Sequence, residues 1–355
     1  MNGLSVDKIS KYLSIIQMLR QTYRFYDIHV HPYEILFDKF SYNYCPSKPK
    51  ILSMAGKTYA VPAINEFEFT ETYDSSLCTE PSRLRSISLM QLSSVYGNVG
   101  EQVFIDHMNL GGIDKVLLLP VVSESGNIDS RMRWIKQFYN NEDKFLIGGS
   151  IPGELSGSDI LPYVAAMKRQ YDIKALKCHP VVTGIDLSAS VRKEWLEMLL
   201  VTCDEFNLPL VLHTGRNIPY WGGERGNFGS LENLSAINWS VSSEPVIFAH
   251  AGLHRCSAHE VQKELLPILR IMLKSHSNLY VDISCIGFES LKLVLSSVDM
   301  DRIVFGSDAL YVPQWGGVAM TMHALTDLNM KLEESFVQIA SVNPQKIIFK
   351  DKKIC

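Results

Sequence analysis

The sequence contains no C-x-x-C pair, no G-x-G-x-x-G, no low-complexity tract and no excess of basic residues, and each absence removes a class of function. Its seven cysteines, Cys45, Cys78, Cys178, Cys203, Cys256, Cys285 and Cys355, are odd in number and scattered, which reads as reduced thiols in a cytoplasmic setting. With 34 Lys and Arg against 38 Asp and Glu, the formal charge of -4 leaves no basic surface to grip a phosphate backbone, so nucleic acid is not an expected partner. The opening stretch carries Asp7, Lys8 and Lys11 among its apolar residues and lacks the unbroken run of a signal peptide or membrane span. No membrane partner is expected. Ile9, Leu13, Ile16 and Met18 instead predict one side of an amphipathic helix within residues 1–24. With no glycine-rich turn after any apolar run, dinucleotide binding is disfavoured.

What the chain does have is a rhythm of short apolar runs: KVLLLPVV from Lys115, KFLIGGSIP from Lys144, IKALKCHP from Ile173, LPLVLHTG from Leu208, PVIFAHAG from Pro245, NLYVDISC from Asn278 and RIVFGSDA from Arg302. Each reads as a buried parallel strand. Their centres lie about 24 to 37 residues apart, the length of one βα unit. Amphipathic stretches such as SASVRKEWLEMLLVTCDEF and SAHEVQKELLPILRIMLKS separate them. FYDIHVHP, from Phe25, adds an eighth strand, the number that closes a barrel. The expected fold is a distorted (β/α)8 TIM barrel of the α/β class, one domain over 1–355, with an open doubly wound sheet as the alternative. At 46% hydrophobic and 20% charged, the 355 residues can bury such a core. The rhythm breaks once, between His31 and Lys115, over an interval too long for one connection. Residues 34–110 are expected to form a lid or cap inserted after strand 1, with a small hairpin or two in KILSMAGKTYAVPAINEFEFTETY.

Five of the ten histidines, His29, His31, His179, His213 and His250, end predicted strands. In a closed barrel those ends converge on one mouth, where catalytic groups of this fold sit. Alternation along the first strand sends Asp27, His29 and His31 the same way, so the two imidazoles can reach one ion. Imidazole nitrogen suits zinc, iron, nickel or copper, and a carboxylate adds the charge that holds a divalent ion. Asp308 follows the apolar run IVFGS, where a carboxylate needs a cation or a hydrogen-bonding role, and it is read as metal ligand and proton acceptor, or else as a helix cap with Ser307. His213 ends the apolar run 208–212 and is expected to ligate; His250, one strand later, is expected to be a catalytic or supporting imidazole. Lys177 and His179 share a strand face. Lys177 can pair with a substrate carboxylate, bridge two metals if carboxylated, or form a salt bridge, while His179 either lines the site or supports it.

In their order and spacing, DIHVHP, KCHP, LHTG, FAHAG and FGSDA resemble the amidohydrolase superfamily, and more narrowly its branch that includes aminocarboxymuconate-semialdehyde decarboxylase. The likeness runs from about Tyr26 to the end, where ESFVQIASVNPQKIIF is similar to the branch's closing helix. It implies a distorted barrel with His29, His31, His213 and Asp308 as ligands of a single zinc, a second ion being possible in the family. His250 would be the catalytic imidazole or a ligand of that second ion. A zinc-bound water has its pKa lowered from about 15.7 to about 7. Hydrolysis of an amide, lactone or ester of a small carboxylate-bearing substrate is therefore the first expectation, with Asp308 moving the proton and His250 steadying the oxyanion. Non-oxidative decarboxylation on the same ligands is the alternative, and an inactive metal-binding barrel the third reading. Substrate contacts are expected from Lys177, His179, Arg216, Trp221 and Arg225, with Tyr220, Glu224, Tyr311 and Trp315 nearby; Arg216 can pair bidentately with a carboxylate. Barrels of this branch often pair, so a homodimer is expected.

Overall fold

The computed structural model describes residues 6–31, 52–54, 57–59, 100–122, 126, 128–216, 226–254, 256–309 and 314–349. Within them the apolar runs become strands: β1 (Tyr26–Val30), β2 (Leu52–Met54), β3 (Lys57–Tyr59), β4 (Lys115–Leu118), β5 (Phe145–Ile147), β6 (Gly149–Ser150), β7 (Leu176–Cys178), β8 (Leu210–Gly215), β9 (Val246–His254), β10 (Leu279–Asp282) and β11 (Ile303–Val304). β2 and β3 pair antiparallel, a short hairpin where one was expected. The rest of 34–110 as far as helix Gly100–Gly111 lies outside the described residues.

The remaining strands are parallel, in the orders β1-β4-β5 and β11-β10-β9-β8-β7-β6. Gly148 joins the two sets: its N–H donates to Leu118 O at 2.8 Å, and the next N–H, of Gly149, donates to Ala175 O at 2.8 Å. β5 and β6 are thus one strand that changes neighbours. At the other edge Ile28 N–H donates to Phe305 O at 3.1 Å, Asp308 N–H donates to His29 O at 2.8 Å, and Val30 bridges Ala309. The sheet closes on itself as an eight-stranded TIM barrel. Its distortion is the seam, where β11 is only two residues long.

Side-chain alternation sorts the strands into an inner cluster and a helix-facing one. Leu117, Val211, Ile247, Tyr280 and Val304 belong to the inner cluster, which Ile347, Ile348 and Phe349 complete, Phe349 stacking on Tyr26 at 4.4 Å. Leu118, Leu176, Leu210, Phe248 and Val281 belong to the outer cluster with the helices. Alternation fails in β1, as it does in β9, where Ala249 is inner and Ala251 outer. Tyr26 and Ile28 are inner, yet Val30 is outer, and the pairing with β4 slips between Asp27 and Val30. This bulge separates Asp27 from His29 and His31, which strict alternation had placed together.

Helix Val6–Leu19 buries Ile9, Tyr12, Leu13, Ile16 and Leu19, a 3.6-residue repeat. Met18, expected on that side, is 52% exposed because it stands about 200° around the helix from Ile16. Helix Gln314–Asp327 is buried from Gln314 to Leu325, covered by Val6–Leu19, Gly100–Gly111 and Phe288–Ser297. Trp315, expected near the substrate contacts, is therefore a core residue at 1% exposure. The close approach depends on Gly111, where a Cβ would lie 3.0 Å from Trp315 N. Among the described residues no helix is long and apolar enough to cross a membrane.

Cys178, Cys203 and Cys256 are buried and are in no disulfide among the described residues. Burial pushes the Cys178 thiol up to about 12 and Cys203 above the usual thiol range. A disulfide-exchange reagent is expected to leave all three untouched in the native protein and to reach them only as it unfolds. Peptide mapping that found native Cys178 labelled would show that this layer opens to solvent.

Candidate metal centre

β1 delivers His29 and His31 to the barrel mouth, and the chain beyond β11 returns Asp308 to the same place. His29 Nε2 lies 3.0 Å from His31 Nε2, and Asp308 Oδ1 lies 3.5 and 3.3 Å from those two nitrogens. The partners behind the rings set their tautomers. His31 Nδ1 faces Leu119 O at 2.6 Å and His29 Nδ1 faces Asp282 Oδ2 at 2.9 Å; both oxygens only accept, so each Nδ1 carries the hydrogen. In the neutral rings each Nε2 is then a lone pair. Two imidazole lone pairs and a carboxylate oxygen converge with no hydrogen of their own to share. Such a trio calls for a cation, and its donor types are those of zinc and of other divalent ions. Burial pushes His31 down to about 4, which keeps its lone pair free at neutral pH. Burial would raise the Asp308 carboxyl, but His29, His31 and His250 outweigh it and hold it well below the usual range.

A second chain of hydrogen bonds fixes His250 and His213. His250 Nδ1 donates to Ser284 O at 3.0 Å, which leaves its Nε2 to accept from His213 Nδ1 at 3.2 Å. His213 Nε2 is consequently a lone pair, buried and without a hydrogen-bond partner among the described residues. An orphaned buried acceptor is rare in a folded protein and fits a ligand to an ion. His213 does not, however, belong to either trio whose ligating atoms come within 4.8 Å of one another, His29/His31/Asp308 and His29/His250/Asp282. It approaches His29 through His250, with ring centroids 4.9 and 5.1 Å apart.

Lys177 is fully buried with Nζ 2.9 Å from His29 Nε2. Burial pushes it down to about 8 against the pull of Asp282 and Asp308. His179 stacks on His213 at 3.8 Å and 9°, while its Nδ1 accepts from Val182 N at the cap of the turn Pro180–Thr183. The guanidinium of Arg216 grips Glu260 with two hydrogen bonds, one of them 3.0 Å. Tyr220, Trp221, Glu224, Arg225 and Tyr311 lie outside the described residues.

Several site residues escaped the sequence reading. Asp282 ends β10 as Asp308 follows β11, and an acidic residue closing an apolar parallel run was the signal that could have found it. Its carboxylate accepts from His29 Nδ1, from His250 N at 2.9 Å, from Ser284 N at 3.0 Å and from Ser284 Oγ. Although burial opposes it, His29 and these bonds hold Asp282 well below the usual carboxylate range. His254 was missed because β9 continues beyond His250, placing a further ring 4.7 Å from His250. His250 and Asp308 both adopt left-handed backbone, φ 61° and 59°, which costs a non-glycine residue about 1–3 kcal/mol and clusters at functional sites.

Gly306 permits the close approach of β11. A Cβ there would lie 2.8 Å from His29 Cβ and 3.3 Å from Asp282 Cγ. Gly306→Ala is expected to destabilise the protein by about 1–3 kcal/mol through overpacking, and to weaken metal binding by displacing His29. Urea unfolding and metal titration check it; wild-type behaviour in both would show that the seam has slack.

Residues 132–328, more than half of the chain, match the protein family described as Amidohydrolase. Similar solved structures include a 5-carboxyvanillate decarboxylase from Novosphingobium aromaticivorans complexed with manganese and 4-hydroxy-3-methoxy-5-nitrobenzoic acid, 15% identical with a TM-score of 0.54 over 92% of this chain and 96% of that one. A 2,6-dihydroxybenzoate decarboxylase from Rhizobium is 11% identical, with a TM-score of 0.53 over 79% and 96%. An amidohydrolase from Burkholderia multivorans with bound zinc is 9% identical, with a TM-score of 0.52 over 91% and 98%. No curated protein matches the chain in sequence. At such identities the solved structures speak for the barrel and the family match speaks for descent. With imidazoles and a carboxylate gathered at the mouth of that barrel, the chain belongs to the amidohydrolase family of metal-dependent enzymes.

Proposed function

We propose that this enzyme is a metal-dependent decarboxylase that releases carbon dioxide from a small aromatic or unsaturated carboxylic acid. His29, His31, His213 and Asp308 would hold one divalent cation, zinc or manganese. The observation that carries this reading is the meeting of His29 Nε2, His31 Nε2 and Asp308 Oδ1 within 4.8 Å, with lone pairs forced inward by Leu119 O and Asp282. When bound, the cation supplies Lewis-acid polarisation of substrate oxygens. Lys177 adds a positive charge at the floor of the mouth, suited to a substrate carboxylate. Decarboxylation breaks the carbon–carbon bond to the carboxylate, leaves the electron pair on the remaining carbon and requires a proton there. His250 would relay that proton: Ser284 O holds the hydrogen of its Nδ1, so Nε2, which accepts from His213 Nδ1 at 3.2 Å, is the ring atom that would take up a proton and pass it to that carbon.

Hydrolysis of an amide, lactone or ester, the reading favoured from sequence, uses the same ligands, and the zinc-containing barrel from Burkholderia multivorans supports it. The two decarboxylase structures weigh the other way. The deciding experiment loads purified protein with zinc or manganese and offers hydroxylated benzoates and unsaturated acids alongside an ester and lactone panel. Carbon dioxide release is expected; ester or lactone turnover with no carbon dioxide from any acid would sink the decarboxylase reading.

A further inference from the structure

We propose that Asp27 is a positioning residue that sets the affinity of the site for its ion by stapling the seam of the barrel; this rests on the reading of His29, His31 and Asp308 as ligands. These three ligands come from the two sides of that seam, β1 and the segment after β11. Asp27 touches neither His31 nor the Asp308 carboxylate. Its own carboxylate, fully buried, accepts four hydrogen bonds from both sides: His29 N at 3.1 Å and Ser307 N at 3.0 Å on Oδ1, Ser307 Oγ and Gln314 Nε2 at 2.9 Å on Oδ2. Ser307 Oγ in turn accepts from Ala309 N at 2.9 Å. Asp27 and Ser307 thereby bracket Asp308, whose backbone is left-handed at φ 59°. Hydrogen bonds to neighbours of a ligand fix its orientation, and their loss typically lowers metal affinity by about 10–100-fold.

The geometry also supplies a variant that folds. Asp27→Asn keeps an oxygen for His29 N and Ser307 N, and its amide can meet Gln314 Oε1, which is buried with no hydrogen-bond partner among the described residues, once that side chain flips, while the hydroxyl of Ser307 loses its acceptor on Oδ2. Ser307→Ala removes the hydroxyl alone. The test measures zinc affinity of metal-free, full-length protein by competition with a chromophoric chelator, beside the thermal midpoint without metal, for Asp27→Asn, Ser307→Ala and Asp308→Asn. We expect zinc affinity to fall about 10–100-fold in the first two, with a metal-free midpoint close to wild type, and binding to be lost in the third. Wild-type affinity in Asp27→Asn and Ser307→Ala, with loss in Asp308→Asn, would overturn the staple and leave the ligand assignment standing. Wild-type affinity in all three would overturn both.

Discussion

Asp308→Asn is expected to leave the enzyme nearly free of metal and to lower turnover by about 1000-fold. The substitution keeps the shape of the side chain and removes its charge. What remains is His29 Nε2 and His31 Nε2, two neutral lone pairs 3.0 Å apart, with an amide in place of the carboxylate oxygen that faces both. A carboxylate supplies the charge that binds a divalent ion in such a set. Loss of the ion's polarisation costs several kcal/mol of transition-state stabilisation, and about 4 kcal/mol is a factor of about 1000. Elemental analysis after dialysis and a carbon dioxide assay check the two halves separately. A variant that keeps one ion per chain yet loses turnover would make Asp308 a proton carrier alone.

The second large effect is expected at Asp282, through a proton rather than a missing ligand. In Asp282→Asn the amide oxygen can still accept from His250 N and Ser284 N, as Asp282 Oδ1 does. The amide N–H₂ then faces His29 Nδ1, donor against donor across 2.9 Å. His29 escapes the clash by moving its hydrogen to Nε2, which fills the lone pair meant for the ion. Metal affinity is expected to fall by about 10–100-fold with the fold retained, read by chelator competition and by circular dichroism. Proton NMR of the metal-free protein should show the His29 ring hydrogen on Nδ1 in wild type and on Nε2 in the variant. An unchanged tautomer with weakened binding would refute this route.

Much of the barrel was legible in the chain because its strands are local objects. The apolar runs around Leu118, Ile147, Leu176, Val211, Phe248 and Val281 each became a strand, for burial on both faces demands continuous apolar residues whatever the neighbours are. His29, His31 and Asp308 were recognisable by position, at the ends of such runs. The errors came where a neighbour far along the chain decides. Asp27 left the face of His29 because β1 bulges against β4. Trp315, grouped with the substrate contacts, is buried in helix Gln314–Asp327. Asp282 went unread because a carboxylate at a strand end announces a partner without saying which.

The order of the strands and the meeting of His29, His31 and Asp308 at one mouth were readable from sequence alone, since periodicity and apolar runs depend on residues adjacent in the chain. Tertiary structure decided which nitrogens carry hydrogens and which carboxylates only support. Those outcomes depend on partners such as His29 with Asp282, 253 residues apart, and Asp27 with Ser307, 280 apart. A hydrogen bond takes its direction from the atom it meets, and only the closed barrel brings those atoms together.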